Sequence, residues 1–277
     1  MAAERDDGLA AANWPEIVRR IRARTPARLF VGRAGASYPT PTQLELREAH
    51  AAARDAVTAE LEAGGIFSAS FLEEWKLFEV PTKAANKREF LLRPHLGRHF
   101  ADSSGTEILR RCSKGNDLQI AIGDGLSVPA VGAQAPPLMP LLYQSAIKRG
   151  WTVGQAFLVR YCRVGILNEI GELLRPKIVV LLIGERPGLA TADSLSAYMA
   201  YRPDSSHTDA NRNLVSNIHA RGLSPEDAND RIVHFAELMI AARTSGCNLG
   251  LDETNRKHTI IGTASGHVID KSDPGAV

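Results

Sequence analysis

Three short apolar runs in the second half of the chain do most to limit its possible folds. They read DLQIAIGDG (117–125), QAFLVRYCRV (155–164) and PKIVVLLIGE (176–185), and the segments between them are predicted to form helical turns or crossovers. A last helix is predicted to begin after Ser224 as its cap. Alternate residues of a strand face opposite sides of the sheet, and in these runs the residues on both sides are mostly apolar. Each run is therefore typical of a strand in a parallel sheet that helices cover on both faces. This alternation predicts an open α/β domain, whose ligands bind where loops leave the carboxyl ends of the strands.

The residues before 115 show helical spacing instead. Apolar residues share one face in WPEIVRRIRARTP (14–26) and in QLELREAHAAARDAVTAELEAGG (43–65). Thr40 or Thr42 is expected to cap the second of these helices, and Gly64–Gly65 to end it. We therefore predict an all-α region over 1–114, a Rossmann-like, mainly parallel α/β domain over 115–250, and a flexible polar tail over 251–277.

The balance of charge and the apolar pattern argue against several kinds of partner. Lys and Arg number 33 against 31 Asp and Glu in 277 residues, so the net charge of +2 creates no global field for nucleic acid. No apolar run approaches the ~18 residues of a membrane span, and the first residues lack the basic start and apolar core of a signal peptide, so none is expected. Cys112, Cys162 and Cys247 lack the spacing of a zinc site, and disulfides are not expected. A cytoplasmic protein without a metal, nucleic-acid or membrane partner is predicted.

The first candidate loop is Gly123-Asp-Gly-Leu-Ser127, directly after a predicted strand. It invites comparison with a dinucleotide-binding fingerprint, but Val128 occupies the position of the third glycine. No acidic residue follows about twenty positions later to hold a ribose. A tight turn in which Asp124 caps the next helix is favoured over a nucleotide site.

The second candidate loop follows the strand 178–184 and reads ERPGL. Gly184 permits close approach of another group, and Pro187 restricts the turn. At the strand end, Glu185 has three possible roles: a general base, a ligand contact, or the partner of Arg186 in a salt bridge. Taken alone, the pattern favours the salt bridge. Because the chain lacks a nucleophile elbow, a P-loop and a zinc-protease motif, its chemistry is expected to be shared with another chain.

Seven segments, in this order and spacing, resemble the small, light subunit of ethanolamine ammonia-lyase. The combination of GRAG, LLRP-x-LGR, GDGLS, EIGELL, IGERPGL and SNI is specific to that family, and the resemblance covers residues from about 25 to about 250. The segments are RLFVGRAGASYPT (28–40), AHAAARDAV (49–57), FLLRPHLGR (90–98), DLQIAIGDGLSVPAV (117–131), RVGILNEIGELL (163–174), VVLLIGERPGLATADSLSAY (179–198) and RNLVSNIHARGLS (212–224).

This resemblance implies an adenosylcobalamin-dependent lyase that converts ethanolamine to acetaldehyde and ammonia by radical chemistry. In the family, the substrate lies in a TIM barrel of the large subunit. The small subunit closes over the cobalamin at the interface, and six copies of each subunit assemble. Some relatives are brought into a bacterial microcompartment by an N-terminal segment, which would include the helix around Trp14 here. A free-standing nucleotide-binding enzyme of Rossmann type remains the alternative, and a scaffold without cofactor contact is a third hypothesis.

The resemblance also implies which residues touch the cofactor, with no catalytic residue on this chain. Val164 is expected to pack against the corrin or its base, and Glu185 to accept a hydrogen bond from an amide side chain or a ribose hydroxyl. Leu214 matches a position where many relatives carry cysteine, so a thiol-specific role is lost there. Arg163 is a weaker candidate for a phosphate or amide contact.

Overall fold

The computed structural model describes residues 15–25 and 27–249, which are built around one six-stranded sheet. Trp14, Pro26 and the predicted tail over 251–277 lie outside the described residues. The strands are β1 (Glu79–Pro81), β2 (Leu118–Gly123), β3 (Phe157–Arg160), β4 (Ile178–Gly184), β5 (Leu195–Tyr201) and β6 (Asn213–Ile218). The helices are α1 (Glu16–Ala23), α2 (Thr40–Thr58), α3 (Ala63–Ile66), α4 (Ala69–Glu74), α5 (Lys87–Leu92), α6 (Asp102–Arg111), α7 (Val128–Lys148), α8 (Ile166–Leu174) and α9 (Pro225–Ala242).

The sheet is mostly parallel, as predicted, in the order β1-β3-β2-β4-β5-β6. Strands β1 to β4 run parallel, β5 runs antiparallel to β4, and β6, antiparallel to β5, again runs in the direction of β4. Leu195, the first residue of β5, pairs with both Gly184 and Ile218. The start of β5 and the end of β6 therefore meet the carboxyl ends of β2, β3 and β4 at one edge of the sheet. We call this the carboxyl edge.

Helices pack on both faces of the central strands, which explains why β2 and β4 are buried along their whole length. Ile120 and Val180 belong to the core that includes residues of α7 and α9. Ala121 and Leu181, their neighbours along the strands, belong to the opposite core, which includes residues of α6 and α8. The continuous apolar runs in the sequence follow from this two-sided packing.

The prediction of an all-α region over 1–114 is wrong at one point. Strand β1 lies within it and pairs in parallel with β3, with Val80 opposite Val159. Phe67 and Phe71, from the helical part of the same region, pack in the core that also contains residues of β2 and α7. A run of three strand residues is too short to show a clear alternation of apolar and polar side chains, so the sequence pattern missed it. The domain boundary near 115 remains a prediction.

Helix ends agree only in part with the sequence analysis. Ser224 caps α9 as predicted, because its Oγ accepts a hydrogen bond from the backbone N–H of Asp227 at 3.1 Å. Helix α2, in contrast, follows Pro39 without a side-chain cap and ends at Thr58, so neither Thr40 nor Thr42 caps it and the pair at 64–65 does not end it. No helix in the described residues is long and apolar enough to cross a membrane.

Candidate binding site at the carboxyl edge

The carboxylate of Asp124 organises the turn that follows β3. Its Oδ2 accepts a hydrogen bond from the backbone N–H of Tyr161 at 2.9 Å, and its Oδ1 accepts one from Cys162 at 2.7 Å. The expectation that Asp124 caps the next helix was wrong. Ser127 caps α7 instead, since its Oγ accepts from the backbone N–H of Ala130. We call residues 161–165, which Asp124 holds, the β3 turn.

A buried lysine faces the same carboxylate. Lys87 Nζ, on α5, lies 3.7 Å from Asp124 Oδ2, and their side chains are 8% and 0% exposed. The ammonium group also lies 5.2 Å from the centroid of the Phe90 ring, an arrangement that favours a cation. Burial raises the pKa of Asp124, whereas Lys87 and the backbone N–H groups lower it. The N-terminal region thus supplies a cation to a carboxylate of the sheet.

Two glycines bring the loop after β2 against the end of β4. Leu126 donates its backbone N–H to the carbonyl of Gly184 at 3.0 Å. A Cβ on Gly125 would collide with that carbonyl, and one on Gly184 would lie 2.6 Å from the carbonyl oxygen of Asp124. Gly125 also has a φ of +56°, which side chains rarely adopt. These glycines are therefore required by contact between two backbone segments.

Glu185 joins the end of β4 to both β5 and β6. Its Oε1 accepts hydrogen bonds from Ser196 Oγ at 2.6 Å and from the backbone N–H of Asn217 at 2.8 Å. The predicted salt bridge with Arg186 is wrong, since no ion pair joins the two side chains among the residues described. Polar partners on β5 and β6 take its place, and Arg186 is exposed. Within the same part of the chain, Oε2 of Glu185 has no hydrogen-bond partner.

Val164 presents apolar surface near the carboxyl edge, whereas Leu214 does so near the start of β6, level with the middle of β4. Val164 lies in the β3 turn, four residues beyond the end of β3, and packs partly against the core beside α8. Leu214 lies on the outermost strand, β6, where 43% of it is exposed, and it pairs with Tyr198 of β5. In the described part of the chain no further strand pairs with β6, and Leu214 is exposed there.

Arg163 is half-buried and incompletely paired. Its guanidinium carbon lies 4.2 Å from the centroid of the Phe90 ring, and Nη2 reaches the carbonyl of Phe90 at 3.4 Å. Its Nε is buried and has no acceptor among the described residues. Burial lowers the pKa of Arg163, and the nearby Arg98 lowers it further. The side chain of Arg163 is therefore held in place by Phe90, while its Nε can still donate a hydrogen bond.

Sequence reasoning missed Tyr198, which lies between the predicted site residues. It pairs with Leu181 on one side and with Leu214 on the other. Burial raises the pKa of Tyr198, the carboxylate of Glu185 raises it further, and Arg212 lowers it. The alternation in LSAYMAY (195–201) could have indicated a strand with Tyr198 on its less buried face.

Two cavities of about 550 Å³ each lie away from these residues. One is lined by Trp75, Tyr143 and Gln155, among others, and the second by Glu172, Arg175 and Arg202, among others. Both border the opposite edge of the sheet, where β1 and β3 begin and β5 ends. Val164, Glu185 and Leu214 line neither cavity. Each of the three is exposed or half-buried, so each contributes to the open surface of the described residues.

Comparison with known proteins gives one consistent result. The family model described as ethanolamine ammonia-lyase light chain matches residues 15–250. An ethanolamine ammonia-lyase small subunit of Pseudomonas syringae pv. tomato is 39% identical over 251 residues, which is 89% of this chain and 86% of the relative. The corresponding protein of Clostridium acetobutylicum is 38% identical over 84% of this chain and 94% of its own length. That of Xanthomonas campestris pv. campestris is 36% identical, with 89% and 91% covered.

Proposed function

The chain belongs to the ethanolamine ammonia-lyase light-chain family, and we propose that it completes an adenosylcobalamin site at the interface with a catalytic large subunit. One observation carries the proposal. Val164 follows β3 and Glu185 follows β4, so both lie at the carboxyl edge and belong to the open surface, as does Leu214 beside Tyr198 on the outer strand β6. Ligands of open α/β sheets bind at this edge.

The residues present fit the chemistry of a cobalamin. Its benzimidazole and corrin edge offer apolar surface, for which the half-buried Val164 and the exposed Leu214 supply aliphatic carbon. Its amide side chains and ribose hydroxyl groups are hydrogen-bond donors, and Oε2 of Glu185 is an acceptor without a partner in the described part of the chain. Glu185 is already fixed through Oε1 by Ser196 and Asn217, so binding there would order little additional protein.

The roles of the chain's own residues follow from this surface. When bound, adenosylcobalamin supplies the radical by cleavage of its cobalt–carbon bond, which is chemistry that the protein groups described here do not provide. Val164 and Leu214 exclude water from the cofactor, Glu185 orients it, and Arg163 offers a cation beside Val164. We assign no proton transfer to these residues. The barrel of the large subunit would hold ethanolamine and release acetaldehyde and ammonia, in an assembly of six copies of each chain.

Reconstitution tests the proposal directly. The purified chain should show no ethanolamine-dependent acetaldehyde formation with adenosylcobalamin, and addition of the large subunit should restore it. The open surface explains this expectation, because one half of the site is supplied by the other chain. Full activity of the large subunit alone would contradict the proposal. Micromolar binding of NAD, flavin or nucleotides to the lone chain in calorimetry would favour the nucleotide-binding alternative instead.

A further inference from the structure

Three arginine side chains surround the first turn of α8, next to Val164. They are Arg98, from the 3₁₀ turn Pro94–Arg98; Arg163, from the β3 turn; and Arg212, from the segment before β6. We call them the arginine cluster. Arg98 and Arg212 were not among the residues that the sequence indicated. The three belong to different parts of the chain, so their proximity is a product of the fold.

The stems of Arg98 and Arg163 are packed against glycine backbone. Arg98 lies over Gly165, where a Cβ would come within 2.9 Å of Arg98 Cγ. Arg163 Cγ would lie 2.8 Å from a Cβ on Gly97, the residue before Arg98. The backbone N–H of Arg163 also donates to the carbonyl of Gly97 at 2.8 Å. These contacts place the two arginines side by side at the start of α8.

Arg212 approaches the same helix turn from the other side. Its side chain is only 5% exposed, and Nη2 donates to Asn168 Oδ1, on α8, at 3.0 Å. Nη1 pairs with Asp209, but Nε is buried without an acceptor in the described part of the chain. A nearly buried guanidinium with an unused donor costs free energy unless a further negative group balances it.

The acidic side chains near this turn mostly form hydrogen bonds or ion pairs with groups outside the arginine cluster. Glu169, on α8, binds His99 Nδ1 at 2.7 Å and the backbone N–H of Phe100 at 2.6 Å. Asp124 holds the β3 turn and faces Lys87, although its charge also raises the pKa of Arg163. Arg98 has no ion-pair partner among the residues described.

The charges of the cluster lie close enough for Arg98 to affect the pKa values of the other two arginines. Burial lowers the pKa of Arg212, Asp209 raises it, and Arg98 lowers it again. Arg98 has the same lowering effect on the pKa of Arg163, where burial is the largest cause. An anion at the cluster would relieve the repulsion between these charges.

We propose that the arginine cluster binds the phosphodiester of the cobalamin nucleotide. This rests on the proposed function, because the cofactor that contacts Val164 also carries the anion. The amide side chains of cobalamin are neutral, so its phosphodiester is the group that matches a cluster of cations. Guanidinium groups suit phosphate oxygens in geometry as well as charge. Val164 stands between Arg163 and Gly165 in the chain, so one ligand can reach the apolar contact and the cations together.

A chemical double-mutant cycle in the two-subunit complex tests the proposal. Equilibrium binding is followed by the visible absorbance of the corrinoid, for wild type and Arg98→Ala. The ligands are adenosylcobinamide phosphate and adenosylcobinamide, which differ by the phosphate. Arg98 is exposed, so its removal should leave the fold intact. Arg98→Ala should weaken binding of the phosphate-bearing ligand about tenfold, as expected for a lost charged hydrogen bond, and leave the other ligand unchanged.

Two further variants test whether weaker binding of the phosphate-bearing ligand is caused by loss of the Arg98 side chain. Arg98→Lys keeps the charge and should recover part of the loss, whereas Arg47→Ala, an exposed arginine on α2, should bind both ligands as wild type does. Equal weakening for the two ligands, or no weakening, would overturn the proposal. So would weaker association of the subunits without any ligand, since this would assign Arg98 to acidic groups of the large subunit. If the wild-type complex binds no adenosylcobalamin, the proposed function itself fails.

Discussion

At Glu185, one carboxylate oxygen serves the fold while the other remains available. Oε1 receives hydrogen bonds from a side chain of β5 and a backbone group of β6, so it fixes the ends of both strands. Oε2 has no partner in the described residues. This division lets one residue support the carboxyl edge and still contact a ligand. The sequence shows only that a glutamate follows β4, so it could not tell whether Glu185 pairs with Arg186 or contacts a ligand.

Replacement of this residue should separate the two roles. Glu185→Gln retains a carbonyl oxygen that can accept the hydrogen bonds of Ser196 and Asn217. Its amide nitrogen takes the place of Oε2, so a hydrogen-bond donor replaces the free acceptor. We expect adenosylcobalamin affinity of the complex to fall by ~1–3 kcal/mol, while the melting temperature of the chain changes little. Glu185→Ala should lower both quantities. Calorimetric binding and thermal unfolding measure them.

The control for this pair is Glu48→Gln, an exposed residue on α2 that should alter neither quantity. Unchanged cofactor affinity in both Glu185 variants would exclude a contact at this position and would favour a purely structural role.

At the scale of elements, Asp124 connects β2 to the turn after β3 and, through Lys87, to α5. Tyr161 in that turn has a φ of +57°, a conformation that costs free energy for a residue with a side chain. The two backbone N–H groups bound by Asp124 hold the turn in place. Arg163 and Val164 follow directly, so the position of two candidate contacts depends on a buried ion pair.

Removal of one member of this pair should be costly. Asp124→Asn turns an amide donor toward a backbone donor and leaves Lys87 buried without a counter-charge, for an expected loss of ~3–5 kcal/mol in the free energy of unfolding. Chemical denaturation measures this loss. Cys162, which is fully buried in the wild type, should also become accessible to a thiol reagent, whereas the exposed Cys247 reacts in both proteins. Burial raises the pKa of the Cys162 thiol, which adds to its protection in the native chain.

Lys87→Met provides the comparison for this experiment. Because Met fills a similar volume, the double variant Lys87→Met with Asp124→Asn should be more stable than the sum of the two single losses predicts. A loss below ~1 kcal/mol in Asp124→Asn, the net value of an ordinary hydrogen bond, would contradict the role assigned to the ion pair, as would a Cys162 that remains protected.

The sequence predicted the elements whose pattern reflects burial on two sides. Strands β2 and β4 stood out because helices cover both of their faces, and α9 because Ser224 caps it. Strand β6 was missed because four of its six residues are exposed or half-buried. The region of α7 was predicted only as helical turns or crossovers, since Pro136, Pro137 and Pro140 lie inside what is one continuous helix.

The candidate site was less predictable than the strands for a physical reason. The resemblance indicated Val164, Glu185, Leu214 and Arg163, and the structure gives their surroundings. The partners of Glu185 lie 11 and 32 residues away, and no local pattern links them. The contacts of Arg98 and Arg212 with the first turn of α8 depend in the same way on tertiary packing. A cluster of charged side chains of this kind forms only when the fold brings distant loops together, so no local sequence pattern predicts it.

At the scale of the whole molecule, the described residues before 115 contribute directly to the sheet and its cores. Val80 of β1 is 1% exposed, and Phe67 lies in the same core as the strands and α7. Removal of this region would expose both core surfaces and delete the cation that faces Asp124. The described residues of the two predicted domains therefore depend on each other for burial.

Two tryptophans can report whether they also unfold together. Trp75 lies before β1 and Trp151 before β3, and both pack partly against the same core. In variants that keep only one of them, with the other tryptophans changed to phenylalanine, the denaturation curves followed by fluorescence should coincide. Phe67→Ala should shift both curves equally, by the ~3–5 kcal/mol typical of a truncated buried aromatic. Leu109→Ala, an exposed side chain on α6, serves as the control and should shift neither.

Separate midpoints for Trp75 and Trp151 would give the opposite result. They would mean that the boundary near 115 divides two independently stable units despite the shared sheet. Coincident curves would instead make cofactor binding and N-terminal packing parts of one equilibrium, because Lys87 on α5 supports the turn that carries Val164. A ligand that binds only the folded chain would then stabilise the region around Trp75 as much as the carboxyl edge, by RT ln(1 + [L]/Kd). The same two single-tryptophan variants, denatured in the two-subunit complex with and without adenosylcobalamin, measure that coupling.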